Sequence, residues 1–291
     1  MIFPTHRPYT VAIIQARMGS SRLPGKVLLD IAGRPMLGWV FERARRASRV
    51  DVVVLATTTD PSDDPVAAYC QANGYAYTRG SLGDVLDRYY QAALTHQAEV
   101  IVRITADCPL IDPALIDDVI GVFLGEPPQI ARRLEMSEGG DPGLRQAAFP
   151  FDFAANRLPP PFQRSYPIGL DVEVCSFQAL ERAWNEARQG YEREHVMPYL
   201  YSQPGRFRFV QLQHEPDYGS LRWTVDTPQD LALIREIFQR LPDPLTSTWL
   251  DVLQIFKDDP NLNELNAQVE AKHYQAVDSR IKTSDQPESN R

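Results

Sequence analysis

Residues Gln15 to Leu28 read QARMGSSRLPGKVL and follow the apolar run Val11–Ile14. Gly19, Gly25, Ser20 and Ser21 leave backbone N–H groups uncovered by bulky side chains. Arg22 and Lys26 add fixed positive charge, and Arg17 stands beside them. A glycine-bearing loop of this kind after a first strand is suited to holding phosphate; the plainer alternative is a surface turn with solvated cations. It is not a Walker A loop. Five residues separate Gly19 from Gly25, and Val27 follows Lys26, so the hydroxyl that would meet magnesium is missing. The pattern Gly-x-Gly-x-x-Gly is absent as well, which excludes an ordinary dinucleotide-binding dehydrogenase.

Two aspartates complete the chemistry. Asp107 follows the strand-like VIVRI and precedes a helix starting at Pro113. Asp226 follows the strand-like LRWTV and precedes a helix starting at Pro228. Both then stand at the carboxyl ends of predicted strands, the edge at which open α/β sheets bind ligands. Magnesium is commonly held by one or two carboxylates plus substrate phosphates, and Asp107 with Asp226 would suit it. The alternative for each is a turn cap.

The elements needed to position these groups can be read in turn. TVAIIQ, VDVVVLAT, YAYT and VIVRI read as strands, and they alternate with helical PMLGWVFERARRA, DPVAAYCQANG, DVLDRYYQAAL and DPALIDDVIGVFL. Gly74 is a plausible helix stop; Asp112 is an N-cap with Pro113 in the first turn. Such alternation predicts a mostly parallel sheet covered on both faces, an α/β fold. The rhythm breaks from about Glu126 to Pro167, a stretch rich in Pro, Gly and Arg that reads as an irregular insertion or an oligomer contact. Strand-like LDVEV, a helix from Phe177 to Arg188, strand-like FRFVQL and LRWTV, a helix from Pro228 to Leu241 and helical TWLDVLQIF follow. The reading is one domain over 10–256, with a C-terminal extension over 257–291 that turns polar and mobile from about Lys272.

The chain has 291 residues, 43% of them hydrophobic, and a formal charge of -8, so a full core can form while a basic footprint for nucleic acid is missing. No apolar run is long enough for a membrane span, and the first residues lack a signal-peptide layout. Cys70, Cys108 and Cys175 have no metal-type spacing and fit a reducing cytoplasm.

The loop resembles the signature loop of cytidylyltransferases that activate sugar acids, such as 3-deoxy-manno-octulosonate and acylneuraminate. The nearest likeness is to the spore-coat polysaccharide biosynthesis protein F type. RITADCPLIDP, GLDVEVCSFQAL, EREHVMPYLY and RWTVDTPQDL look like that family too, in its order, over roughly Thr10 to Phe256. The resemblance implies the Rossmann-like three-layer α/β/α fold of nucleotide-diphospho-sugar transferases. It implies transfer of CMP from CTP to a sugar or sugar acid with release of pyrophosphate, Mg2+ on Asp107 and Asp226, and a homodimer contacting through 126–167. Catalysis would fall to Lys26, Arg22, Asp107 and Asp226. The nucleotide would meet Gln15, Ala16, Arg17, Gly19, Ser20, Ser21, Arg22, Gly25 and Lys26, with Arg88 at a matching position.

For the sugar, Arg193 and His195 lie in a segment that would line its pocket, where a cation can meet a carboxylate. A structural role for His195, with Tyr199 on the same helical face, stays open. Asp171 and Glu173 alternate with Leu170, Val172 and Val174 and would share one strand face. That face either binds sugar hydroxyls or is an acidic outer surface. Met197 stands where the family often has Thr. The rival readings are a glycosyltransferase consuming a nucleotide sugar and a catalytically silent nucleotide-binding subunit of a polysaccharide assembly.

Overall fold

The computed structural model describes residues 7–128, 133–136 and 149–270. The first strand, β1 (Thr10–Gln15), is followed by the loop, a small hairpin of β2 (Asp30–Ile31) and β3 (Arg34–Pro35), and α1 (Met36–Ala44). Next come β4 (Val52–Thr58), α2 (Asp64–Asn73), β5 (Ala76–Gly80), α3 (Val85–Thr95), β6 (Val100–Thr105) and α4 (Pro113–Phe123). The second half contains β7 (Arg133–Met136), β8 (Phe153–Ala155), β9 (Glu173–Ser176), α5 (Phe177–Glu186), α6 (Gly190–His195) and α7 (Pro198–Tyr201). The last elements are β10 (Phe209–Gln213), α8 (Pro228–Arg240) and α9 (Trp249–Asp258).

Local chemistry sets the helix ends. The Asp112 carboxylate accepts from the Ala114 N–H at 2.8 Å, with Pro113 next in line. Gly74 closes α2 at φ 67°. Thr227 and Asp230 form a reciprocal capping box on α8.

The sheet runs β5-β4-β1-β6-β9-β8-β10-β7. All of its strands but β9 and β7 point one way, so the sheet is mostly parallel. From β1 the chain moves outward to β4 and β5, then returns to β6 on the other side of β1. That reversal is a topological switch point, and the crevice beyond the strand ends there is where such sheets bind ligands. Gln15 is level with Thr105 in the register, so both loops leave the sheet side by side. Two apolar layers cover the faces. Ala12, Ile14, Val102 and Ile104 belong to one, Val11, Ile13 and Ile101 to the other.

Four expectations need correction. The stretch from Glu126 to Pro167 is not simply irregular, for it supplies β7 at the sheet edge and β8 within the sheet; the remainder around 129–132 and 137–148 lies outside the described residues, as does the tail from Lys272. LRWTV is no strand. Arg222 makes a single bridge to Ile168, the Trp223 N–H donates to the Ile168 carbonyl, and the Val225 N–H donates to the Asp107 carbonyl, so its partners change before a ladder forms. LDVEV joins the sheet only at Glu173. Before it, the Asn156 side chain takes the Val172 N–H at 2.8 Å and the Leu170 carbonyl at 2.7 Å. Gly169, at φ 106°, lies so near the Trp223–Thr224 backbone that a Cβ would fall at 2.6 Å. Finally, the helix containing Arg193 and His195 ends at Val196, φ 71°, and does not run on to Tyr199.

Candidate active site

The cleft lies at the switch point. Its floor comes from Gln15 at the end of β1 with Ala16, and from Thr105 at the end of β6 with Ala106 and Asp107. Gly19, Ser20 and Ser21 form one wall, Val85 and Arg88 of α3 another, and Glu194 and His195 of α6 reach it from the far side.

The loop is tied into shape by its own backbone. The N–H groups of Ser20 and Gly25 both donate to the Met18 carbonyl at 2.9 Å. Asp63, buried at the start of α2, accepts from the Met18 N–H at 2.6 Å and from the Thr58 hydroxyl. Gly25 has φ 70°, a conformation that side chains rarely adopt, and from it a short turn places Lys26.

Lys26 is buried, and its ammonium uses all three of its hydrogens on the protein. It donates to Asp107 Oδ2 at 2.8 Å, to Asp226 Oδ1 at 2.9 Å and to the Val225 carbonyl at 2.8 Å. Burial works against its charge, but Asp107 and Asp226 outweigh burial and its pKa stands raised. Asp107 is oriented by the Thr105 hydroxyl, which donates to Oδ1 at 2.6 Å. Asp226 Oδ2 accepts from Arg222 at 2.7 Å and forms an ion pair with Arg22 at 2.8 Å. Burial would raise the Asp226 carboxyl; Lys26, Arg22 and Arg222 instead hold it at about 2. The arrangement is therefore a pair of carboxyl groups, contributed by two distant segments, meeting on one ammonium beside a glycine–serine loop.

The family model described as Cytidylyltransferase matches residues 11–240. The chain belongs to the cytidylyltransferase family. It is 29% identical over 252 residues to the spore coat polysaccharide biosynthesis protein SpsF of Bacillus subtilis, covering 83% of this chain and 92% of that protein. It is 43% identical over 120 residues to a 3-deoxy-manno-octulosonate cytidylyltransferase of Anaeromyxobacter sp. (strain K), which is 40% of this chain and 48% of that enzyme. The structure of a cytidylyltransferase from Leptospira borgpetersenii superposes with a TM-score of 0.74 at 30% identity, over 91% of this chain and 100% of that one. The chain is thus a nucleotidyltransferase enzyme with the α/β fold of these relatives.

In this cytidylyltransferase the cleft collects Gln15, Ala16, Arg17, Gly19, Ser20, Ser21, Lys26, Arg88, Asp107, Asp226 and His195 of the residues singled out in the sequence. Arg88 is no solvated helix arginine. It is buried, its guanidinium donates to the Ser81 and Leu82 carbonyls, and burial lowers its pKa to about 10. Its Nε has no partner, leaving a donor unspent at the cleft wall. Gly25 shapes the loop from behind, and Arg22 turns toward Asp226 and the Glu270 carbonyl.

The cleft lining does not include Asp171, Glu173 or Arg193. Arg164 grips Asp171 with both ends of its guanidinium, at 2.6 and 3.0 Å. Glu173 is buried opposite Arg103, the residue it pairs with in the sheet register, and so presents no acidic outer face. Arg193 donates to Asp84 and to the Trp184 carbonyl. Met197 is fully buried in the apolar layer of α7, where a threonine hydroxyl would need a partner.

Several supporting residues carried no local signal. Asp63 sits in an acidic run, DPSDDP, that reads as an ordinary helix start. Arg222 and Asp230 were legible as parts of a motif and a cap. Their role as a cradle for Asp226 depends on contacts that form only on folding.

Proposed function

We propose that the enzyme transfers CMP from CTP to a hydroxyl of a sugar acid, releases pyrophosphate, and supplies surface polysaccharide synthesis. The observation that carries this reading is the Lys26 ammonium set between Asp107 and Asp226 beside the loop. Phosphoryl transfer needs little covalent help from a protein; it needs alignment of the two substrates and neutralisation of the charge that grows on the phosphates. The turn Gly19–Ser21 and the guanidinium of Arg88 line the part of the cleft that suits the nucleotide, and His195 and Glu194 lie on the side from which an acceptor would enter.

Asp107 and Asp226 would hold a divalent cation, magnesium. The donor set fits: two carboxylates, oxygen only, already aimed at a single positive charge. Among the described residues no group of three or more His, Cys, Asp or Glu gathers to hold a metal, which suits an ion that takes its other ligands from phosphate and water. When bound, such an ion polarises the α-phosphate and lowers the pKa of an attacking hydroxyl. Without the ion, Lys26 offsets part of the charge of the two carboxylates, with Arg22 and Arg222 also facing Asp226.

We place the reaction in the cytoplasm, as three unpaired, buried thiols suit a reducing compartment. No helix among the described residues is long and apolar enough to cross a membrane. A homodimer through the β7 edge is part of the reading, because that strand ends the sheet and exposes Leu134 and Met136; a monomer in sedimentation would remove it.

Pyrophosphate release, measured for each nucleoside triphosphate with 3-deoxy-manno-octulosonate and other sugar acids as acceptors, tests the reading. CTP with one of these acceptors should give pyrophosphate and a CMP-sugar. Consumption of a nucleotide sugar instead would favour a glycosyltransferase, and turnover of another nucleotide alone would sink the CTP assignment.

A further inference from the structure

Past α9 the chain turns back toward the cleft. A short turn over Pro260–Leu265 seats Leu262 in the core, and Asn266 follows, buried. Both amide hydrogens of Asn266 are spent. One goes to the Asp230 carboxylate at 2.9 Å, the other to the Arg222 carbonyl at 3.0 Å. Four residues later the Glu270 carbonyl accepts from Arg22 at 3.1 Å.

Each of these partners touches Asp226. Arg222 donates to Asp226 Oδ2, Arg22 forms an ion pair with the same oxygen, and Asp230 accepts from the Asp226 N–H at 3.0 Å. Asp230 is fully buried, and its two oxygens are shared among Arg222, Thr227, the Asp226 N–H and Asn266. A buried amide is costly unless paired. Here both of its partners belong to the cradle of one carboxylate. Leu262 already supplies the packing that would anchor the segment. The segment itself, 260–270, lies beyond residue 240, where the family match ends.

We propose that residues 260–270 form a strap that is a working part of the active site, with Asn266 as a positioning residue. Asn266 fixes Arg222 and Asp230, and through them the direction of the Asp226 carboxylate; the Glu270 carbonyl holds Arg22 beside it. The proposal rests on the reading that Asp226 holds the divalent cation.

Manganese binding to the full chain in the presence of CTP, followed by electron paramagnetic resonance, tests it without knowledge of the sugar. Asn266→Ala should raise the Mn2+ Kd about tenfold, as expected for losing a hydrogen bond to a charged group. Asn266→Asp keeps the shape and places a carboxylate against Asp230, so it should lose at least as much, and it carries the test should the alanine variant fail to fold. Leu180→Ala opens the other apolar layer and is the packing control; it should lower Tm and leave the Mn2+ Kd unchanged. An unchanged Kd in both Asn266 variants, or an equal loss in Leu180→Ala, overturns the proposal. Asp226→Asn is the reference. If it weakens Mn2+ and the Asn266 variants do not, only the strap falls; if it too leaves binding unchanged, the metal reading fails and takes the strap with it.

Discussion

Two sets of buried charges lie a few residues apart and are built differently. At the cleft, Lys26 is shared by Asp107 and Asp226, which come from segments 81 and 200 residues away in the chain. Inside the sheet, Arg103 faces Glu173 directly across β6 and β9. Burial works against the Arg103 charge, yet Glu173 outweighs it and the guanidinium is held more firmly than usual. The sheet pair closes on itself, with Gln15 as a further partner at 3.2 Å. In the cleft set two carboxylates share one ammonium on a flexible lysine stem. On the proposed reading the contrast separates charges that hold the fold from charges kept for a ligand, although all of them are largely out of water.

The difference is sharpest in substitutions that keep size and remove charge. Asp107→Asn and Asp226→Asn should each lower turnover by roughly a hundredfold or more, the scale seen when one group that stabilises transition-state charge is removed. Both variants should still fold, Asp226→Asn with a lower stability than the parent's. The double variant should lose much less than the product of the two, since both groups would act on one ion. Steady-state pyrophosphate release at several magnesium concentrations checks this. Multiplicative losses with an unchanged magnesium requirement would mean that the two carboxylates act separately.

The sheet pair should respond in the opposite sense. Glu173→Leu leaves the buried Arg103 guanidinium without its carboxylate, which costs about 3–5 kcal/mol of stability when a partner of a buried pair is deleted. Replacing both residues, as in Arg103→Met with Glu173→Leu, should recover most of that loss. Urea unfolding of the single and double variants reads it directly. A single variant as stable as the parent would place this pair with the exchangeable charges and erase the distinction.

What was legible in the sequence follows the same division. The loop and Asp107 could be read because their signals are local: glycines at a turn, a strand before and a capped helix after. Asp226 was found for a partly wrong reason. LRWTV is extended without being a strand, and it is held by single bonds to Ile168 and Asp107. Asp171 and Glu173 alternate correctly on paper, but Gly169 and Asn156 detain the chain outside the sheet until Glu173. Alternation cannot reveal that Arg103 waits opposite. Asp63 and Asn266 were invisible, since each acts on a backbone or carboxyl group far along the chain, and no spacing within the sequence encodes that contact.

The smallest effect expected is a shift in acid stability, and its sign can be fixed beforehand. Asp226 has a pKa near 3.8 in an ordinary setting and about 2 in the folded enzyme, with burial opposing the change and Lys26, Arg22 and Arg222 driving it. A carboxyl whose pKa is lowered by folding adds stability that is complete above its unfolded value and lost as pH falls through the folded one. The stability gap between the parent and Asp226→Asn should therefore stay level from neutral pH down to about 4 and close between about 4 and 2. Taking the difference cancels acids away from Asp226 whose pKa values folding lowers, Asp171 among them. Urea unfolding of both proteins across that range measures it. A gap that begins to close well above pH 4 would show that the three cations hold Asp226 more loosely than their distances imply, and would move the cleft cluster toward an ordinary surface pair.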